Sequence, residues 1–157
     1  MKLLLVNILL AMSWSALTGS ASLINFLTGF ALGYLALAVT RGRRHGETYF
    51  RRLPRMIGLL GFFLRELAAS GLRAVREVLS PVRRSRPQII RVPLALRDRH
   101  QILTLAQLLS LTPGTLVLDI APEQDAFYVH TLFVDDADAF RDEVRSGFER
   151  RVAEALS

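Results

Sequence analysis

The sequence predicts an α+β membrane protein, with an N-terminal two-helix transmembrane hairpin, an amphipathic interfacial helix and a small C-terminal β-α-β-β-α cytoplasmic domain. Three observations predict it. No residue from Leu3 to Thr40 is charged, arginines are frequent from Arg41 onward, and beyond Gln88 the long apolar runs give way to short elements punctuated by proline and glycine.

The uncharged stretch, if helical throughout, would run about 57 Å at 1.5 Å per residue, close to twice the roughly 30 Å hydrocarbon core of a bilayer. A break falls where a hairpin needs one. Leu3 to Leu17 is apolar apart from Asn7, Ser13 and Ser15; Thr18-Gly19-Ser20-Ala21-Ser22 then supplies small, turn-tolerant residues before Leu23 to Val39 resumes the apolar run. Residues 1–40 are therefore read as two crossings, about 3–18 and 23–40. The rival reading makes Lys2 to Ser22 a signal peptide with Ser20-Ala21-Ser22 as its cleavage site. It leaves the second apolar run unexplained.

Arginine placement sets the orientation. Lys2 alone precedes the first run, nothing charged lies between the runs, and Arg41, Arg43, Arg44, Arg51, Arg52 and Arg55 follow the second. By the positive-inside rule the short turn is extracytoplasmic and both chain ends are cytoplasmic.

The net charge of +6 hides an asymmetry. Residues 41–100 carry 15 Arg against four acids, Glu47, Glu66, Glu77 and Asp98, while residues 101–157 carry 4 Arg against 10 acids. A basic block next to a membrane span reads as a topology determinant and a contact for anionic lipid headgroups. The acidic distal part would be repelled by a phosphate backbone, so nucleic acid is excluded as a partner. With no cysteine, disulfide and thiolate chemistry are excluded too.

Residues 41–87 form a basic juxtamembrane segment with an amphipathic helix at about 51–79. At 100° per residue Arg51, Arg52, Arg55, Arg65, Glu66, Arg73, Arg76 and Glu77 share one face of about 140°, and Met56, Ile57, Leu60, Phe63, Leu64, Leu67, Ala68, Val75 and Val78 the other. Leu59 and Phe62 violate this stripe, which raises a third crossing as an alternative. Arg65 and Glu66 would then lie near mid-bilayer, at high cost, so an interfacial helix is expected, with Glu66 pairing to Arg65 or Arg73 at its surface. Ser80-Pro81 ends it, and Val82 to Pro87 reads as a basic linker.

Residues 88–157 form the cytoplasmic domain. Ile89 to Leu96 contains Pro93 and reads as an edge strand. Asp98 can cap a helix from Arg99 to Leu111, and Thr112, Pro113 and Gly114, followed by Thr115, fit a type II turn leading into a strand from Leu116 to Ala121. Pro122 to Ala126 is a hairpin loop before a strand from Phe127 to Val134. From Asp135 or Asp136 a last helix carries Phe140, Val144, Phe148, Val152 and Leu156 at every fourth position.

The chain offers no phosphate loop, metal-ligand spacing or nucleophile with a base. Neither a cofactor nor a metal is expected, and it is not read as an enzyme. Asp119, Asp125 and His130 could be drawn as a triad fragment without a nucleophile; His130 reads instead as a strand histidine at a domain or subunit surface. Ion transport generally uses ionisable groups near mid-membrane, and Leu3 to Thr40 has none. The helix-packing candidates there are Asn7, Trp14, Asn25 and the pair Gly29 and Gly33, a GxxxG.

Several stretches together are similar to a known family: Asn7 to Trp14, Asn25-Phe26-Leu27-Thr28-Gly29-Phe30 with Gly33, Leu79-Ser80-Pro81, Ser110-Leu111-Thr112-Pro113-Gly114-Thr115, Tyr128-Val129-His130, and Phe148-Glu149-Arg150. The chain resembles the MnhE (PhaE) components of the Mrp-type multisubunit cation/proton antiporters. The resemblance implies a cell-membrane complex of several different subunits that exchanges cytoplasmic Na⁺, or K⁺ in some members, for external protons. It also implies that large subunits carry the ion pathways, while this one supports assembly, cation efflux and pH homeostasis without a catalytic site. The alternative is a stand-alone membrane-anchored module that binds a ligand or a soluble protein.

Overall fold

The computed structural model describes residues 2–80 and 86–157, with the backbone alone for Lys2 and for residues 41–48. The arginines at 41, 43 and 44 and the linker expected from Val82, through residue 85, therefore lie outside the described side chains. The chain divides into two compact units, Met1–Pro54 and Arg55–Ser157.

The first unit starts with α1, Lys2–Leu17, apolar on every side. It ends in a Schellman arrangement: Gly19 adopts φ +66°, Gly19 N–H donates to Ala16 O at 3.2 Å and Ser20 N–H to Ser15 O at 3.2 Å. The glycine thus takes the left-handed position at which a Cβ would be strained. The second helix, α2, is bounded at Leu23 and Leu79. Its stretch Leu23–Thr40 is long and apolar enough to cross a membrane, whereas Leu3–Leu17 is a shorter apolar helix. The expected separation into a membrane helix and a later surface helix is thus not a break in helical structure.

The axis of α2 nevertheless turns within this unit. In a straight α-helix residues sixteen apart are separated by about 24 Å along the axis. Tyr34 and Phe50 have ring centroids 5.1 Å apart, with Tyr49 5.9 Å from Tyr34, and the Tyr34 hydroxyl donates to Phe50 O at 3.4 Å. The chain doubles back between them.

The second unit contains the rest of α2 and a three-stranded antiparallel sheet in the order β1-β3-β2, built from β1 Gln88–Pro93, β2 Thr115–Ile120 and β3 Ala126–Thr131. Pro93 lies at the end of an edge strand, where its missing N–H costs no ladder bond. Helix α3, Arg99–Leu111, is capped by Asp98, whose carboxylate accepts from His100 N and Gln101 N. Gly114 has φ +89° and Thr115 N–H donates to Thr112 O at 3.1 Å, as the type II reading requires. β2 and β3 are joined through Gln124 at φ +55°.

Asp136 caps the last helical stretch, which is not one α-helix: α4, Ala137–Glu143, passes through a π-helical segment, Val144–Glu149, into α5, Arg150–Leu156. The four-residue spacing of Phe140, Val144, Phe148 and Val152 overshoots the 3.6-residue α period, so an apolar stripe so spaced drifts around a regular helix. The wider i→i+5 turns reduce that drift, and all four side chains are buried. They join Ile90, Val92, Phe127, Val129, Leu105 and Leu109 in one core between sheet and helices.

Candidate functional site

Within the first unit the packing candidates meet one another. Asn7 and Ala11 on α1, and Gly29, Gly33 and Leu37 on α2, are buried at spacings of four, the rows that interlock in antiparallel helices. A Cβ at Gly29 would lie 2.8 Å from Trp14 Cβ, and one at Gly33 would run into Asn7 Oδ1. The glycines of the GxxxG therefore admit α1 of the same chain.

Asn7 is fully buried, and its Nδ2 donates to the Tyr49 hydroxyl at 2.8 Å. It touches the backbone of one arm of α2 at Gly33 and a side chain of the returning arm at Tyr49. Its Oδ1 has no conventional donor among the described residues. At the other end of the hairpin, Trp14 Nε1 donates to Asn25 Oδ1 at 3.1 Å, while Asn25 Nδ2 donates to Thr18 Oγ1 at 2.5 Å and Ser20 O at 2.7 Å. Asn25 thereby binds α1 and the turn together. Outward from this seam Leu5, Leu9, Met12, Leu27, Leu35 and Val39 are exposed, an apolar surface suited to lipid or to other membrane helices.

In the second unit α2 presents two different faces. Leu59, Phe62 and Phe63 pack on the domain core, and Glu66 and Ser70 are buried beside them. The Phe62 ring meets Phe148 edge-on with centroids 5.0 Å apart, and the Arg151 guanidinium lies 4.0 Å over the same ring. Arg55 Nη1 donates to Glu154 O at 3.1 Å. Leu59 and Phe62, which break the apolar stripe in the sequence, are thus among the side chains that hold the domain. The opposite face exposes Met56, Ile57, Leu60, Leu64, Leu72 and Val75. Glu66 does pair with Arg65, at 2.7 Å, but the expectation of a surface pair is corrected: Glu66 is only 7% exposed because the domain covers it.

A carboxylate that enters the sequence argument only as part of a motif has a defined role. Glu149, 4% exposed, accepts from Ala95 N at 2.5 Å and Leu96 N at 3.1 Å. It satisfies two backbone donors where the chain leaves β1, and so pins that segment to the π-helical stretch.

The turn of Thr112, Pro113 and Gly114 closes against Phe133, whose ring occupies the space a Cβ at Gly114 would need. Thr112 Oγ1 donates to Leu108 O at 2.9 Å, and Thr115 Oγ1 to Leu109 O at 2.6 Å. His130 lies on the sheet face opposite the core, aligned with Ile89 on β1 and Leu116 on β2. Asp119 aligns with Tyr128 instead, and Asp125 pairs with Arg91 at 2.9 Å; among the described residues no hydrogen bond joins Asp119 or Asp125 to His130. Among the described residues no group of three or more His, Asp or Glu side chains is placed to hold a metal ion.

The comparisons with known proteins agree over nearly the full length. A family model described as Na⁺/H⁺ ion antiporter subunit matches residues 7–155. The E component of the Na⁺/H⁺ antiporter of Bacillus subtilis (strain 168) is 34% identical over 151 residues, 96% of each chain. That of Alkalihalophilus pseudofirmus is 31% identical over the same shares. Among solved structures, a chain of the membrane-bound sulfane sulfur reductase, an archaeal respiratory membrane complex, superposes with a TM-score of 0.58 at 25% identity, covering 96% of both chains. The match spans the two apolar helices at the start and the α+β domain alike, and the chain belongs to the Na⁺/H⁺ ion antiporter subunit family.

Proposed function

We propose that this subunit of a multisubunit monovalent cation/proton antiporter has no exchange site of its own and acts by supporting assembly and activity of the subunits that do. The observation that carries this reading is the sequence of the apolar hairpin: Leu3 to Thr40 holds no Asp, Glu, Lys, Arg or His. Coupled movement of Na⁺ or K⁺ and protons needs groups that change charge or ligate within the membrane, so the complex must supply them elsewhere. Both termini are placed in the cytoplasm, since the arginines follow the second apolar run.

Residues 51–79 then lie at the membrane surface. Their exposed apolar face is turned to the headgroup boundary or to companion helices, and the arginines of the segment contact anionic headgroups. The opposite face, through Phe62 and Glu66, carries the domain.

The test is assembly followed by transport. After gentle detergent extraction from cells holding all subunits, native electrophoresis is expected to show the chain in a large complex. Deleting it is expected to abolish Na⁺-dependent proton movement in inverted vesicles. A free monomer in the first measurement, or full activity in the second, would refute the assignment.

A further inference from the structure

Between Met56 and Leu79, eight large apolar side chains of α2 are exposed, from Leu72 at 49% to Val78 at 83%. They lie away from Phe62, Glu66 and Ser70, the side of the helix that the domain covers. At about 100 Å² a side chain they expose on the order of 800 Å². The largest apolar patch on a typical monomer is about 300–600 Å², and one partner's share of a stable interface is about 800 Å². This face has the area of an interface.

Its spacing says what kind of surface covers it. Ile57, Gly61, Leu64, Ala68, Gly71, Val75 and Val78 follow one another four and three residues apart in alternation. That 3.5-residue repeat keeps one seam of a helix in line with a second helix packed along it at a shallow angle. A helix lying in lipid needs a broad apolar sector but no such register. The seam is also notched. Nothing lies within 4 Å of a Cβ at Gly61 or Gly71, so packing inside this chain requires neither glycine. Glycine inside a helix is destabilising relative to alanine, and lipid chains would accept a methyl group at either position. A second helix whose large side chains enter the notches gives both glycines a use.

We propose that this face of α2 is the docking surface for one apolar helix of a companion subunit. That helix lays leucine-, isoleucine- or phenylalanine-sized side chains at heptad spacing over Gly61, Ala68 and Gly71. It occupies the place that headgroups and companion helices share in the reading above. The inference rests on that reading only in taking the chain as one subunit among several, and it holds for either orientation of the chain in the membrane.

The experiment uses membranes containing the whole complex. Photoreactive benzoyl-phenylalanine replaces Leu60 in one variant and Leu72 in another, at opposite borders of the seam, and the adducts formed on irradiation are located by mass spectrometry. Both are expected on one helix of one companion subunit, about 9–15 residues apart, because both helices rise by about 1.5 Å per residue. A further variant combines Gly61→Leu with Ala68→Leu. Position 61 is open and Ala68 is exposed, so the unfolding midpoint of the detergent-solubilised chain is expected to be unchanged or raised. Co-purification of companion subunits is expected to fall at least about fivefold, since the notches are filled. Adducts on lipid alone, on a second copy of this chain, or scattered over several helices overturn the proposal, as does undiminished co-purification of the double variant. Native electrophoresis of the same membranes separates the two readings. Absence of the adducts from an intact complex refutes the docking surface alone, whereas a free monomer refutes the antiporter-subunit reading beneath it.

Discussion

Phe62 stands edge-on to Phe148, with ring centroids 5.0 Å apart and an interplanar angle of 74°. A Cβ at Gly147 would come 3.1 Å from the tip of the same Phe62 ring, so the glycine gives the aromatic contact its room. The contact joins α2 to the π-helical segment of the domain. It turns a helix that is apolar nearly all round from Met56 to Leu64 into one with two distinct apolar faces.

Removing that ring should loosen the domain from its helix. Phe62→Ala is expected to cost about 2 kcal/mol from lost apolar burial, with a further loss of about 0.5–1 kcal/mol from the Arg151 stack. Urea unfolding monitored by circular dichroism on the detergent-solubilised chain checks the sum, and limited proteolysis should show earlier cleavage near Ser80.

Gly114→Ala should be worse than its single added methyl suggests. The position has φ +89°, and the new Cβ would enter the Phe133 ring. A loss of about 2 kcal/mol or more is expected. The check is the unfolding midpoint, with Gly61→Ala as control, since nothing lies within 4 Å of a Cβ at Gly61. Midpoints that move equally would mean that the turn geometry is not what stabilises the domain.

Glu149→Ala should strand the N–H groups of Ala95 and Leu96. The buried Leu96 donor left unpaired costs about 1–3 kcal/mol and the more exposed Ala95 donor less, whereas Glu149→Gln keeps one acceptor oxygen and should lose less. Amide hydrogen exchange at Ala95 and Leu96 reads this locally, with protection lost in the first variant and partly kept in the second.

Gly29→Leu should force α1 away from α2, because even a Cβ would lie 2.8 Å from that of Trp14. The expected outcome is a several-fold drop in co-purification of companion subunits, following loss of hairpin packing. A Leu27→Ala variant, altering a residue 54% exposed outside the seam, should retain the hairpin. Equal co-purification for Gly29→Leu and the unaltered chain would argue against the seam as the organising contact.

Much of the fold was legible from local chemistry. Asp98 and Asp136 cap the helices that follow them, Gly114 takes the positive φ a type II turn needs, and the lone proline of β1 sits at a strand end on a sheet edge. The interrupted last helix was legible only in hindsight, since a four-residue repeat fits an α-helix over two turns and drifts from it over four. The seam residues were identifiable as packing residues, but their partner was not. Nothing in a GxxxG states whether the approaching helix belongs to the same chain.

By itself the sequence determined the uncharged apolar runs, the arginine block after them, the caps and turns, and the resemblance to antiporter subunits. These are properties of neighbouring residues, governed by hydropathy, backbone dihedrals and short hydrogen bonds. Only the tertiary structure decided that Asn7 meets Gly33 and Tyr49, that Phe62 and Glu66 face the domain, and that Glu149 holds the exit of β1. Those choices depend on which distant surfaces bury one another, and burial is a property of the packed chain, not of any local segment.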